Sequence, residues 1–291
     1  MKEITLSRWG EIYLTIYARE KKSLSDDARH IQHLCRILGG NLLLSQLTRA
    51  HVEQFKQIRR TEVHWGKPIS ETTIDRSLEV LRHMLRIAEE EGVVEKVPRV
   101  KLYKPDNARE RVLTEGEYPQ LLSVSPVHLR RIIICAYETG MRSREIQYLT
   151  WPRMDLKAGF IRLEGKNTKT GEGRAVPISS VLREVLEDIR KETRESKIAP
   201  IDGRVFTWKG KPMTEGWKTA FKTACRKAKL EGLHFHDLRH TFVTRKVREG
   251  WDYKRIMAIT GHKTFAVFQR YNNPSEDDIK AVVLADPPKR W

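Results

Sequence analysis

In "SRWGEIYLTIYARE", residues 7–20, apolar side chains return at three- and four-residue steps through Trp9, Ile12, Tyr13, Ile16 and Tyr17. That spacing lines one face of a helix. "SDDARHIQHLCRIL" follows and stops at Gly39-Gly40, and "TRAHVEQFKQIRR" opens on Thr48, a good cap. "SETTIDRSLEVLRHMLRIAEEEG" offers Ser70 or Thr72 as its cap, a stripe through Ile74, Leu78, Leu81 and Leu85, and Gly92 as its stop. The first 95 residues therefore predict about four helices, with strand-like runs scarce.

The pattern breaks over "VPRVKLYKPDNARER", which carries two prolines, a run of charge and little periodicity. A helical domain over 1–96, a linker over 97–111 and a second domain over 112–291 are the expected divisions. Thr114 and Glu117 of "TEGE" form a capping box at the start of the second domain. "HLRRIIICAYETG" reads as a helix ending at Gly140, and "RSREIQYLTW" as a short helix. "GFIRLEG" and "GRAVPIS" alternate as strands around the turn "KNTKTGE". "SVLREVLEDIRKE", "TEGWKTAFKTACRKAKLEG" and "HDLRHTFVTRKVREG" return to helix, and no internal repeat is visible. The fold class is mainly α with a small antiparallel β-sheet (α+β).

Charge changes the picture. The chain has 291 residues, with 55 Lys and Arg against 38 Asp and Glu, for a net charge of +17. Such an excess favours an anionic partner and says nothing about fold; spread along the whole chain, it is the footprint of a nucleic-acid binder. Lys56, Arg59, Arg60 and Arg76 lie on faces expected to be exposed and able to meet a duplex, although each taken singly is more often a solvated charge. Cys35, Cys135 and Cys225 are widely spaced and odd in number, which suits buried thiols better than a disulfide frame or a four-cysteine zinc site. No apolar run has signal-peptide length at the start, and "IIICAY" is too short to span a bilayer. A cytoplasmic protein with no membrane partner is expected, bound to the nucleoid when on DNA.

"HDLRH", residues 236–240, spaces two histidines by one helical turn, as zinc proteases do. Asp237, however, stands where a glutamate base belongs, and Arg239 would set a cation beside a cationic metal. A phosphate clamp fits better. "TGMRSRE" (139–145) and "GHKTFAVFQRY" (261–271) complete an inventory suited to a phosphodiester: two arginines, histidines, a tyrosine and a hairpin lysine. Guanidinium forks match phosphate oxygens two at a time. A tyrosine hydroxyl can act as covalent nucleophile once cations and a base assist it, and a lysine or histidine can protonate the departing oxygen. Taken alone, each residue has a plainer explanation: a surface pair for Arg142 with Glu145, a helix end for His262, an exposed charge for Lys169, a core position for Tyr271. His240 is the most readily structural of the set.

Together these boxes resemble the tyrosine site-specific recombinases, or phage-type integrases. "TGMRSREIQYLTW" resembles their first arginine box, which implies Arg142 as a clamp and Glu145 as its support. "TKTGEGRAVPIS" is similar to their β-hairpin, with Lys169 as general acid and Lys166 as the rival lysine. "HFHDLRHTFVT" is similar to the His-x-x-Arg box through His236 and Arg239, and "GHKTFAVFQRY" resembles the last box, with His262 assisting and Tyr271 as nucleophile. The basic helical half resembles the family's core-binding domain, so the likeness covers nearly the whole chain in the family's order. About ten residues precede the first helix, fewer than an arm-binding domain would need.

The resemblance implies DNA cutting and rejoining through a 3′-phosphotyrosyl bond and a Holliday junction, with neither metal nor ATP as cofactor. It implies double-stranded DNA with inverted-repeat core sites as partner, a homotetramer on two duplexes, and accessory proteins that set direction. The tail, 275–291, would dock either within its own domain or on a neighbouring protomer. Integration or excision of a mobile element is the expected role, with chromosome-dimer resolution as the alternative. Two other classes stay open: a type IB topoisomerase-like enzyme, and a non-catalytic DNA-binding regulator.

Overall fold

The structure, a computed structural model, describes residues 3–106, 111–165, 172–195, 202–213 and 216–265, with Phe268, Glu276, Lys280, Val283 and Leu284 beyond them. The chain divides into two compact units, Met1–Asn107 and Ala108–Trp291.

In the first unit four helices run in sequence: α1 (Leu6–Ile12), α2 (Leu24–Leu38), α3 (Arg49–Thr61) and α4 (Glu71–Glu90). At α3 and α4 a side chain satisfies some of the first free N–H groups. Thr48 and His51 exchange contacts at the start of α3, and Ser70 Oγ accepts from Thr73 N at the start of α4. Trp9, Leu34, Phe55, Leu78 and Leu81 fill the core, and the Trp9 indole N–H donates to the Met84 carbonyl at 2.9 Å. The chain after α1 continues as a wider π-type turn, Tyr13–Tyr17. The extra residue per turn shifts the apolar phase. Tyr13, four residues after Trp9 and the first of the turn, stays on the buried stripe, whereas Ile16, expected on the same stripe, is 66% exposed.

Two expectations for this unit are corrected. Lys56 and Arg59 are buried rather than exposed: Lys56 Nζ donates to Glu53 and lies over the Tyr103 ring, and Arg59 pairs with Glu62. Arg60 and Arg76 do face solvent. The segment read as a linker also begins later than its composition suggests. Val100 is buried in the first core, and the Asp75 carboxylate accepts the backbone N–H groups of Tyr103 and Lys104, both at 2.8 Å. A buried carboxylate with two such donors is an anchor that proline content does not reveal.

The second unit has the expected small antiparallel sheet, β3 (Met154–Asp155), β4 (Phe160–Leu163) and β5 (Arg174–Pro177). Ile161 faces Val176 and Leu163 faces Arg174 in register. Around it lie α5 (Glu117–Val124), α6 (Val127–Thr139), α7 (Ser143–Gln147), α8 (Ser180–Glu195), α9 (Gly216–Lys227), α10 (Asp237–Arg248) and α11 (Tyr253–Thr260). Both bonds of the Thr114–Glu117 capping box form. Two-residue hairpins not foreseen in the sequence appear in each unit, β1–β2 (Val63–His64, Lys67–Pro68) and β6–β7 (Thr207–Trp208, Lys211–Pro212). The molecule is mainly α with small antiparallel sheets. The three cysteines are free thiols, and burial pushes Cys135 up to about 12 and Cys225 up to about 11. Among the described residues no helix is long and apolar enough to cross a membrane.

Candidate active site

The site is assembled where α6 hands over to α7 and where α10 and α11 pack beside them. Helix α6 ends in a left-handed residue, Gly140, with φ of 62°. A Cβ there would also stand 2.5 Å from the Phe242 ring of α10, so glycine is required on two counts. That close approach lets the Gly140 carbonyl accept Arg239 Nη1 at 2.8 Å. Arg239 is 2% exposed, and its Nη2 lies 2.9 Å from His262 Nε2.

His262 follows Gly261, the left-handed cap of α11. Thr260 Oγ1 donates to the Ile256 carbonyl at 2.8 Å and lies 2.8 Å from His262 Nδ1. A hydroxyl whose proton is committed to a carbonyl accepts from Nδ1–H, which leaves the Nε2 lone pair facing Arg239. Burial, then Arg239, Arg142, His236 and Arg174 in turn, push the His262 pKa down to about 3. The imidazole is neutral and acts as an acceptor.

Arg142 caps α7, and Glu145 sits at the third helical position, where a carboxylate reaches back to the cap. Glu145 Oε2 accepts the Arg142 backbone N–H at 2.9 Å, and Oε1 accepts Arg142 Nη1 at 3.0 Å. Arg142 Nη2 donates to the Gly261 carbonyl at 3.2 Å. Burial alone would raise the Glu145 pKa, but Arg174 and Arg142 hold it below the usual carboxylate range. First and last boxes thus meet, 119 residues apart in sequence.

His236 stands at the start of α10 with its side chain exposed, and its ring centroid is 5.2 Å from that of His240. Asp237 is fully buried and accepts the His234 backbone N–H at 2.7 Å, closing the turn into the helix. Among the described residues no three His, Cys, Asp or Glu side chains gather as a metal site would need. Arg142, Glu145, Arg239 and His262 are brought together; Lys166, Lys169 and Tyr271 lie outside the described residues, as does most of the tail.

Two residues that box spacing does not single out belong to this network. Thr260 sets the His262 tautomer. Arg174 donates from Nη1 and Nη2 to the two Glu145 oxygens at 3.0 and 2.6 Å, and from Nε to the Ile259 carbonyl at 2.7 Å. The sequence does carry a signal for Arg174. In "GRAVPIS" the two-residue alternation puts it on the same face as Val176, which is fully buried, and a cation on an inward face requires an acid.

Chemically, two fixed guanidiniums with a neutral imidazole between their elements suit an oxyanion bearing charge on several oxygens. The chain matches the phage integrase family over residues 111–277. It is similar to the shufflon-specific DNA recombinase of Escherichia coli, 28% identical over 284 residues that span 94% of this chain and 70% of that protein. It is also similar to the tyrosine recombinase XerC of Bacillus pumilus, 29% identical over 253 residues and 82% of each chain. Its fold is that of the lambda integrase subunits in a tetramer bound to a Holliday junction, with a TM-score of 0.74 at 20% identity over 94% of this chain and 78% of that one. Because the family match takes in more than half of the 291 residues and the unit that carries the clustered arginines, the chain belongs to the phage integrase family: it is a tyrosine recombinase, an enzyme that cuts and rejoins DNA.

Proposed function

We propose that Tyr271 is the nucleophile and that Arg142, Arg239, His262, His236 and the hairpin lysine share the remaining work. The observation that carries this reading is the interlocking of two guanidiniums, from α7 and α10, on the Gly261–His262 turn. Arg142 and Arg239 hold the non-bridging oxygens of one DNA phosphate, with His262 assisting and steadying the Arg239 fork. His236 takes the Tyr271 hydroxyl proton as the phenolate oxygen bonds to phosphorus. The bond from phosphorus to the 5′ oxygen breaks, and Lys169, rather than Lys166, gives that oxygen a proton. A 3′-phosphotyrosyl ester and a 5′-hydroxyl result. Attack by the 5′-hydroxyl of a partner strand reverses the step, and one ester replaces another, so no external energy source enters the balance.

On this reading the first unit grips double-stranded DNA beside an inverted-repeat core site, and four protomers exchange strands between two duplexes through a Holliday junction. The exposure of Val283 (85%) and Leu284 (82%) supports docking of the 275–291 tail on a neighbouring protomer. Accessory proteins set the direction, and the reaction takes place on cytoplasmic, nucleoid DNA. Integration or excision of a mobile element is the favoured role. Chromosome-dimer resolution is the second.

The test finds the target sequence by itself. The protein is mixed with sheared source DNA in EDTA and quenched with detergent, and covalently bound DNA is sequenced beside a Tyr271→Phe control. Adducts at one recurrent sequence, absent from the control, are expected, and the flanking genes separate the two roles. Tight DNA binding with no adduct from the native chain would refute the mechanism.

A further inference from the structure

We propose that Arg174 is a positioning residue that keeps the Arg142 guanidinium available to the scissile phosphate by taking up half of Glu145. This rests on the proposed role of Arg142. A carboxylate offers about four lone-pair sites, and here all four are used. Arg174 Nη1 and Nη2 take one site on each oxygen at 3.0 and 2.6 Å, and the Arg142 backbone N–H and Nη1 take the other two at 2.9 and 3.0 Å. Glu145 is 2% exposed at its side chain and Arg174 is 8% exposed, whereas Arg142 is 21% exposed. The buried partner therefore matches the buried acid, and the more open cation is left in surplus. One acid with two cations carries a net positive charge; Glu145 with Arg142 alone would carry none, and the carboxylate would draw the Arg142 fork into a closed pair.

Arg174 also fixes the second support of that fork. Its Nε holds the Ile259 carbonyl at 2.7 Å in the last turn of α11. Its guanidinium packs so close to Gly261 that a Cβ there would lie 3.1 Å from Nη1, on a residue with φ of 72°. The Gly261 carbonyl is the acceptor of Arg142 Nη2, and His262 comes next. One side chain on β5 thus sets the position of the hairpin strand, of the first arginine and of the turn that carries the assisting histidine. Its three nitrogens are all engaged by Glu145 and the Ile259 carbonyl.

The experiment compares Arg174→Gln and Arg174→Lys with the native chain in single-turnover formation of the covalent adduct. The probe is the recurrent duplex recovered above, used once with its natural scissile phosphate and once with a methylphosphonate, which bears no net charge. Binding to the duplex and thermal unfolding are recorded for each variant. Arg174→Gln is expected to slow adduct formation on the natural phosphate by about 10²-fold while binding changes little. On the methylphosphonate, which asks less of a precisely placed cation, the deficit should shrink to within roughly tenfold, a loss an order of magnitude smaller than on the natural phosphate. Arg174→Lys keeps the charge and loses the fork, so it should fall between. Native rates in Arg174→Gln, or equal losses on the two substrates, would overturn the role of Arg174 alone. Absence of any adduct from the native chain would instead overturn the reading beneath it.

Discussion

At the scale of single residues, backbone shape and charge pairing decide the site before any substrate arrives. Gly140 shows this most simply. Alanine there would need an unfavourable φ and would drive a methyl into Phe242. Gly140→Ala should lower the unfolding free energy by about 1–3 kcal/mol and displace the carbonyl that holds Arg239, so denaturant unfolding and adduct rate should fall together. The boxes, taken together through their resemblance to the recombinase family, point to Arg142, Glu145, Arg239 and His262. Their partners are less legible. Arg174 and Thr260 act across 29 residues and across two respectively, and box spacing singles out neither. Alternation exposes Arg174 only when it is applied to charged side chains as well as apolar ones. A cation in an inward register position is as informative as a leucine there.

At the scale of elements, periodicity locates the helices and the main strands, and caps mark where they start. What it misses are features with too few residues to show a period, among them the hairpins at 63–68 and 207–212 and the widened turn that exposes Ile16. Composition also misleads over 97–104, where prolines and charge disguise a segment pinned by Asp75 and Val100. Asp75→Ala removes two charge-assisted bonds and should destabilise the first unit by about 2–3 kcal/mol. Hydrogen exchange would register it as faster exchange of the Tyr103 and Lys104 amides. Unchanged protection at those amides would show that the apolar contacts of Val100 suffice.

At the scale of the whole molecule, the same buried network that orders the site should make the fold acid-sensitive. His262 has a folded pKa of about 3 against an ordinary 6.5. Between these values the unfolded chain binds a proton that the folded chain refuses, so stability falls as pH drops through that window. Glu145, depressed below its ordinary 4.5, adds a further loss at lower pH. Thermal unfolding temperatures should therefore decline from pH 7 towards pH 4, and His262→Gln should flatten the upper part of that slope. The net charge of +17 predicts DNA binding that weakens linearly on a logarithmic salt scale. The division into two units is visible in the sequence as a break in periodicity. How tightly 97–104 is tied to the first unit is not, because that tie is a buried carboxylate 28 residues upstream. Peptide mapping of the protein–DNA adduct formed in EDTA bears most closely on the proposed chemistry. One modified peptide is expected, bearing DNA on Tyr271 through a 3′ phosphate, with a free 5′-hydroxyl on the released strand. Attachment at another residue, linkage through a 5′ phosphate, or an adduct that forms only when a divalent metal is restored would contradict it.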